Sequence, residues 1–182
     1  MEPVLAVRLA LDVAQQGLCA GEMPIGAVVM SGDEVSATAH AQEQALGRRI
    51  VHADLLALQE ANRILGFRRV PAPLTLAVNL EPCLMCLGAA ITLGVEHVWF
   101  GLESPNDGAA APVAAWNPPV EQVFFRKPTR ILGGFLRQEV VRQFDAYAAG
   151  DGPDGMKEWA RGPTAAAVPL DAVGISGADR TW

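Results

Sequence analysis

The stretch VHADLLALQEAN (51–62), followed after a spacer by the apolar run LTLAVN (74–79) and then by EPCLMC (81–86), decides the fold. Leu55, Leu56, Leu58, Ala61 and Ile64 recur at helical spacing among polar Gln59, Glu60, Asn62 and Arg63, so a helix begins at or just before His52. The run 74–79 is apolar on both alternating faces, as in a strand covered from both sides. Pro82 stands at an expected helix start, and CLMCLGAAITLG (83–94) supplies a largely buried helix, followed by the strand HVWFGL (97–102). Strand, crossover helix and strand in this order imply parallel pairing with a right-handed connection.

The elements on either side complete an α/β chain. Residues 4–17 form an amphipathic first helix ending near Gly17, and IGAVVM (25–30) with EVSATAH (34–40) reads as a β-hairpin turning on SGD. Gly26 either admits another backbone at close range or serves as an ordinary turn glycine. After Gly101 comes a long Pro/Ala-rich loop, ESPNDGAAAPVAAWNPPVEQ (103–122); loops of this length are lids or disordered. RILGGF (130–135) is expected to be a short strand and 136–149 a last amphipathic helix. Residues 1–149 are read as one domain and 150–182 as a Gly/Pro-rich, flexible C-terminal extension.

Composition narrows the function classes. With 182 residues, 51% of them hydrophobic, and a mean hydropathy of +0.21, the chain can bury one sizeable core. A net charge of −6 and a pI near 5.0 offer no general attraction to a phosphate backbone. Three cysteines make no disulfide framework; Cys83 and Cys86 in C-x-x-C read as a metal pair in a reducing compartment, with the cytoplasm as the default. Glu2, Arg8 and Asp12 interrupt the apolar N-terminus, and no run reaches the roughly 18 apolar residues of a membrane span.

His52, Cys83 and Cys86 make three ligands, the number a catalytic zinc takes while keeping one position for water. At the start of a helix the two thiols are favoured as thiolates by its dipole. A water acidified by the metal would attack an aromatic carbon bearing an amino group, and a neighbouring carboxylate would carry the proton to the ring nitrogen and the departing ammonia. Asp54 is the acid placed for that role. Its carboxylate falls one carbon, about 1.5 Å, short of a glutamate's. Three readings follow: a compact pocket in which Asp54 reaches, a slow or specialised enzyme, or a vestigial site that holds metal only.

In MPIGAVVM (23–30), HADLLAL (52–58), NLEPCLMCLGAA (79–90) and VWFGLESPNDGA (98–109) the chain resembles the cytidine-deaminase-like superfamily, nearest the branch of bacterial tRNA adenosine deaminases and guanine deaminases. The similarity runs from about Val7 to Ala148 and departs at Asp54, where the family has glutamate. It implies a three-layer α/β/α sandwich around a central mixed five-stranded sheet, zinc on His52, Cys83 and Cys86, the proton shuttle on Asp54, backbone N–H contacts to substrate near Cys83 and Ala53, and a homodimer.

The tRNA enzymes carry an asparagine late in the second strand where this chain has His40, which becomes a substrate-contact candidate. Their basic loop after the fourth strand is replaced by ESPNDG, with Glu103 and Asp107 and no Lys or Arg, an acidic rim that would repel tRNA phosphates while Asp107 faces substrate. Trp116 or Phe124 is expected to stack on the substrate ring. The first reading is thus a zinc hydrolase deaminating a free nucleobase, nucleoside or related amino-heterocycle. A tRNA adenosine deaminase is the runner-up, and a silent dimeric zinc domain the third.

Overall fold

A computed structural model describes residues 1–67, 72–122 and 126–167; Phe124 and the end of the tail lie outside the described residues. The elements run α1 (Pro3–Cys19), β1 (Gly26–Ser31), β2 (Glu34–His40), α2 (Glu43–Leu46), α3 (Ala53–Leu65), β3 (Leu74–Leu80), α4 (Leu84–Leu93), β4 (Val95–Leu102), α5 (Ala110–Ala115), β5 (Arg130–Leu132), α6 (Arg137–Ala149) and α7 (Asp154–Ala166).

One five-stranded sheet has the order β2-β1-β3-β4-β5. β1 pairs antiparallel with both β2 and β3, while β3–β4 and β4–β5 are parallel, so the strand–helix–strand order gave the parallel β3–β4 pair and the resemblance the mixed five-stranded sheet. Every residue of β3 is buried, because helices cover both of its faces. On one side Ala57, Leu58 and Ala61 of α3 pack with Leu87, Ala90 and Ile91 of α4 against Leu76, Val78 and Phe100. On the other, Ala6, Val7 and Ala10 of α1 meet Val28, Met30 and Ala77, and α6 adds Val140 and Phe144. The result is a three-layer α/β/α sandwich.

Gly26 belongs to the first of its two readings. A Cβ there would lie 2.3 Å from the Ala10 carbonyl oxygen and from the Ala14 nitrogen, so α1 rests backbone-to-strand on β1. Buried Asn79 locks the same corner: its side-chain oxygen accepts from the Gly26 N–H at 2.9 Å and its amide donates to the Pro24 carbonyl at 2.7 Å.

Three differences from the sequence reading bear on the site. Pro82 precedes the helix instead of starting it: Cys83 is the N-cap of α4, and the Pro82 carbonyl accepts from the Ala109 N–H at 3.0 Å. The long loop after β4 folds back as α5. The C-terminal extension, expected to be flexible, forms α7 over residues 154–166 and packs on α6, with Ala160 fully buried and Trp159 tilted against Phe144 at a ring separation of 6.4 Å.

Gly26→Ala is expected to destabilise the protein by about 1–3 kcal/mol through overpacking against the α1 backbone, read as a lower midpoint of urea unfolding.

Candidate active site and metal centre

Two helix N-termini converge on one point. His52 is the N-cap of α3 and Cys83 the N-cap of α4, with Cys86 one turn further on and fully buried. The loop between β4 and α5 is tied to the same place by Glu81, whose carboxylate accepts from the Ser104 N–H at 3.0 Å and the Ala110 N–H at 2.9 Å. A Cβ on Gly108 would sit 2.4 Å from the Glu81 carboxylate, so glycine is required where this loop crosses it.

The Cys83 and Cys86 sulfurs lie 3.6 Å apart, and His52 Nδ1 is 3.6 Å from the first and 3.7 Å from the second. A tetrahedral zinc with ordinary bond lengths puts two thiolates about 3.8 Å apart and a thiolate and an imidazole nitrogen about 3.6 Å apart. The three atoms therefore fit zinc in spacing as well as in donor type, and they are the group of His, Cys and carboxylate ligands found among the described residues able to share one ion.

The electrostatics are those of a site prepared for a cation. Hydrogen bonding with the Cys86 sulfur, reinforced by His52, lowers Cys83 from its ordinary 9.0 to about 4 against the cost of burial. Cys86 is pushed up in turn, mainly by Cys83 and by burial. His52 is raised from 6.5 to about 9, chiefly by its hydrogen bond to Cys83. Asp54, 4% exposed in the first turn of α3, has its carboxyl raised by burial, partly offset by a hydrogen bond from Cys86.

A cavity of about 340 Å³ opens beside this centre. His52, Asp54 and Cys83 line it, Met23, Ile25, Val78 and Leu80 form its apolar floor, and Met156 and Trp159 reach it from α7. Glu43, Glu81 and Asp107 add carboxylates to the wall, and among the described residues no Lys or Arg lines it.

Of the substrate-contact candidates, Asp107 lines the cavity, its carboxylate accepting from the Ser104 hydroxyl at 2.6 Å. His40 does not: its ring packs beside Gly17 of α1, and its Nδ1–H donates to the Ala41 carbonyl at 2.7 Å. Ala53 is fully buried, and Trp116 packs against the α3/α4 core with its carbonyl held by Lys127 at 2.9 Å. Glu103, expected on an acidic rim, is paired with Arg137 across two hydrogen bonds, which leaves Asp107 as the loop's acid at the cavity.

Sequence reasoning did not single out Met156 or Glu43. The first had a signal: Met156, Trp159, Ala160 and Pro163 recur at i, i+3, i+4 and i+7, but Gly155, Gly162 and Pro163 gave the segment the look of a linker. Glu43 had none, because its four-residue helix is too short to show a period.

The family model described as the cytidine and deoxycytidylate deaminase zinc-binding region matches residues 3–102. The chain belongs to this family. It is 33% identical over 143 residues to a tRNA-specific adenosine deaminase of Bacillus subtilis (strain 168), covering 79% of this chain and 86% of that protein. A solved structure from studies of A-to-I editing by tRNA:A34 deaminases superposes with a TM-score of 0.63 at 26% identity, over 76% of this chain and 97% of the other. Guanine deaminase from Nitrosomonas europaea shares the fold, with a TM-score of 0.64 at 21% identity over 81% and 86% of the two chains. As a member of this zinc-binding deaminase family the protein takes zinc as its cofactor, on His52, Cys83 and Cys86.

Zinc affinity should climb as pH rises from about 6.5 to about 9, because His52 must lose its proton to ligate, and chelator competition across that range measures it. The zinc-free protein carries the opposite signs. Raised His52 contributes stability that is complete below 6.5 and lost as pH passes about 9; depressed Cys83 contributes stability that is complete above 9.0 and lost as pH falls through about 4. Urea midpoints of the zinc-free protein should therefore fall at both extremes.

Proposed function

We propose that this protein is a zinc-dependent hydrolytic deaminase of a free nucleobase, nucleoside or related amino-heterocycle. The observation that carries the reading is the roof of the cavity: Met156 and Trp159 of α7 line the same space as Asp54 and Cys83. At about 340 Å³ the cavity lies near the small end of ligand pockets, suited to one planar ring system between an apolar floor and an aromatic side chain. Its carboxylates, with no described Lys or Arg, favour a ligand that donates hydrogen bonds and carries no phosphate.

Zinc, when bound, supplies the Lewis acidity that makes a water nucleophilic near neutral pH. Asp54 takes that water's proton and passes it to the ring nitrogen, while the oxygen bonds to the carbon bearing the amino group. The second proton goes to the amine, which leaves as ammonia, and the ring keeps a carbonyl. Burial raises Asp54, the direction that suits a carboxyl which must both accept and return a proton at neutral pH. Asp54 lines the cavity together with His52 and Cys83, the placement that the compact-pocket reading requires. Asp107 is proposed as a wall contact for the substrate, and the Ala53 and Cys83 backbone N–H groups as further contacts. Stacking is reassigned from Trp116 to Trp159, on the strength of the cavity lining. Residues 1–149 are proposed as the deaminase domain, with the described part of the 150–182 extension acting as its lid.

Deamination of adenosine in tRNA remains the second reading, favoured by the 33% identity to a tRNA-specific enzyme. A homodimer is proposed through the groove between α3 and α4, where Leu55, Leu58 and Leu93 flank exposed Phe67. The free state of Cys19, Cys83 and Cys86 supports a reducing, cytoplasmic setting. Among the described residues no helix is long and apolar enough to cross a membrane.

A screen of amino-purines, amino-pyrimidines, their nucleosides and pterins should give ammonia release that falls by at least about 10²-fold in Asp54→Ala with zinc retained. Trp159→Ala should raise KM for the same substrate. Tight, steeply salt-dependent binding of tRNA, with no turnover of free heterocycles, would instead establish the second reading.

A further inference from the structure

We propose that Glu43 is a positioning residue for the metal centre, holding the outer nitrogen of the His52 ring so that its inner nitrogen faces the two cysteines. The His52 ring has two ends with different neighbours. Nδ1 lies 3.6 and 3.7 Å from the cysteine sulfurs, and Nε2 lies 3.8 Å from Glu43 Oε1. An imidazole that ligates through Nδ1 carries its proton on Nε2, and that N–H needs an acceptor in a half-buried setting. Glu43 provides one. Its other oxygen, Oε2, is buried without a hydrogen-bond partner, an uncommon state for a carboxylate.

The short helix carrying Glu43 is built to stay in place. Buried Glu22 lies under it and accepts from the Gln44 N–H at 3.1 Å and the Ala45 N–H at 2.6 Å. The Gln44 side chain donates to the Gly21 carbonyl at 2.7 Å and to the Tyr147 hydroxyl at 3.0 Å, joining α2 to α6. Gly47 ends α2 in the left-handed region at φ +60°, and the Gln42 N–H reaches the carbonyl of Val51, the residue before His52, at 3.3 Å. Both ends of the loop are therefore closed on the same frame. A four-residue helix with no buried residue of its own has no core role that would call for so many ties. Their common effect is to fix one carboxylate against one ring nitrogen.

The inference rests on zinc ligation by His52 and not on which substrate is turned over, so a wrong substrate class leaves it standing. The test measures the zinc dissociation constant of the full chain by competition with a chromogenic chelator, alongside the urea midpoint of the zinc-free protein. Glu43→Ala should weaken zinc binding about 10- to 100-fold with the zinc-free midpoint unchanged. Glu43→Gln, which keeps an oxygen for the His52 N–H, should recover most of that affinity. If Glu43→Ala does not fold, Glu43→Leu, of similar volume, takes its place in the comparison. Zinc affinity within about threefold of the parent in the Ala or Leu variant overturns the proposal, and so does an equal loss in the Gln and Ala variants accompanied by a lower zinc-free midpoint.

Discussion

Two sulfurs and one imidazole nitrogen, from residues 31 and 34 positions apart in the chain, have to be held within 3.7 Å of one another. Left unneutralised, such a cluster is unfavourable: it concentrates thiolate charge in a half-buried place, and burial works against the ionised form of each group. The fold meets the constraint with backbone. β3 is buried along its whole length and delivers Cys83 at its end, α4 starts there, and α3 brings its own N-cap, His52, to the same point. Both helix dipoles present their positive ends to the sulfurs. Most of what surrounds the site, from the Gly26 contact with α1 to the Glu81 tie on the loop before α5, keeps these helix starts in register.

The acid at this centre is an aspartate, one carbon shorter than a glutamate. Asp54 lies in the first turn of α3, two residues from a metal ligand, and is nearly excluded from solvent. Its position is set by the first turn of the helix, beside the cavity that His52 and Cys83 also line. Burial then raises its carboxyl, as it does those of Glu43 and Glu81 around the same cavity. The α7 residues that line the cavity are held in place, since Trp159 is tilted against Phe144 and the Tyr147 hydroxyl reaches the Met156 sulfur at 3.8 Å.

Much of this was legible before any coordinates. The apolar run at 74–79 and the periodicity after His52 define a buried parallel strand and an amphipathic helix, because strand and helix periods depend on local sequence. The ligands were legible for the same reason: each sits at a helix start that the sequence marks. His40, Trp116 and Glu103 were not placeable in this way, because their directions depend on partners far along the chain, namely Gly17, Lys127 and Arg137. The glycines and prolines of the extension from residue 150 read as a flexible tail, with docking on the body as the alternative, because the apolar face of α7 takes its meaning from α6 beneath it.

The sequence by itself determined the parallel strand–helix–strand core and the zinc ligands, since these follow from short-range periodicity and from the few residue types that bind a borderline-soft cation, while the three-layer arrangement was implied by the resemblance of its motifs. Only the tertiary structure decided that Met156 and Trp159 line the cavity beside the site, that Glu103 is paired with Arg137, and that Glu43 stands at ion-pair distance from the His52 ring. Each of these is a meeting between segments separated by loops, and no local propensity encodes where a loop will bring its ends.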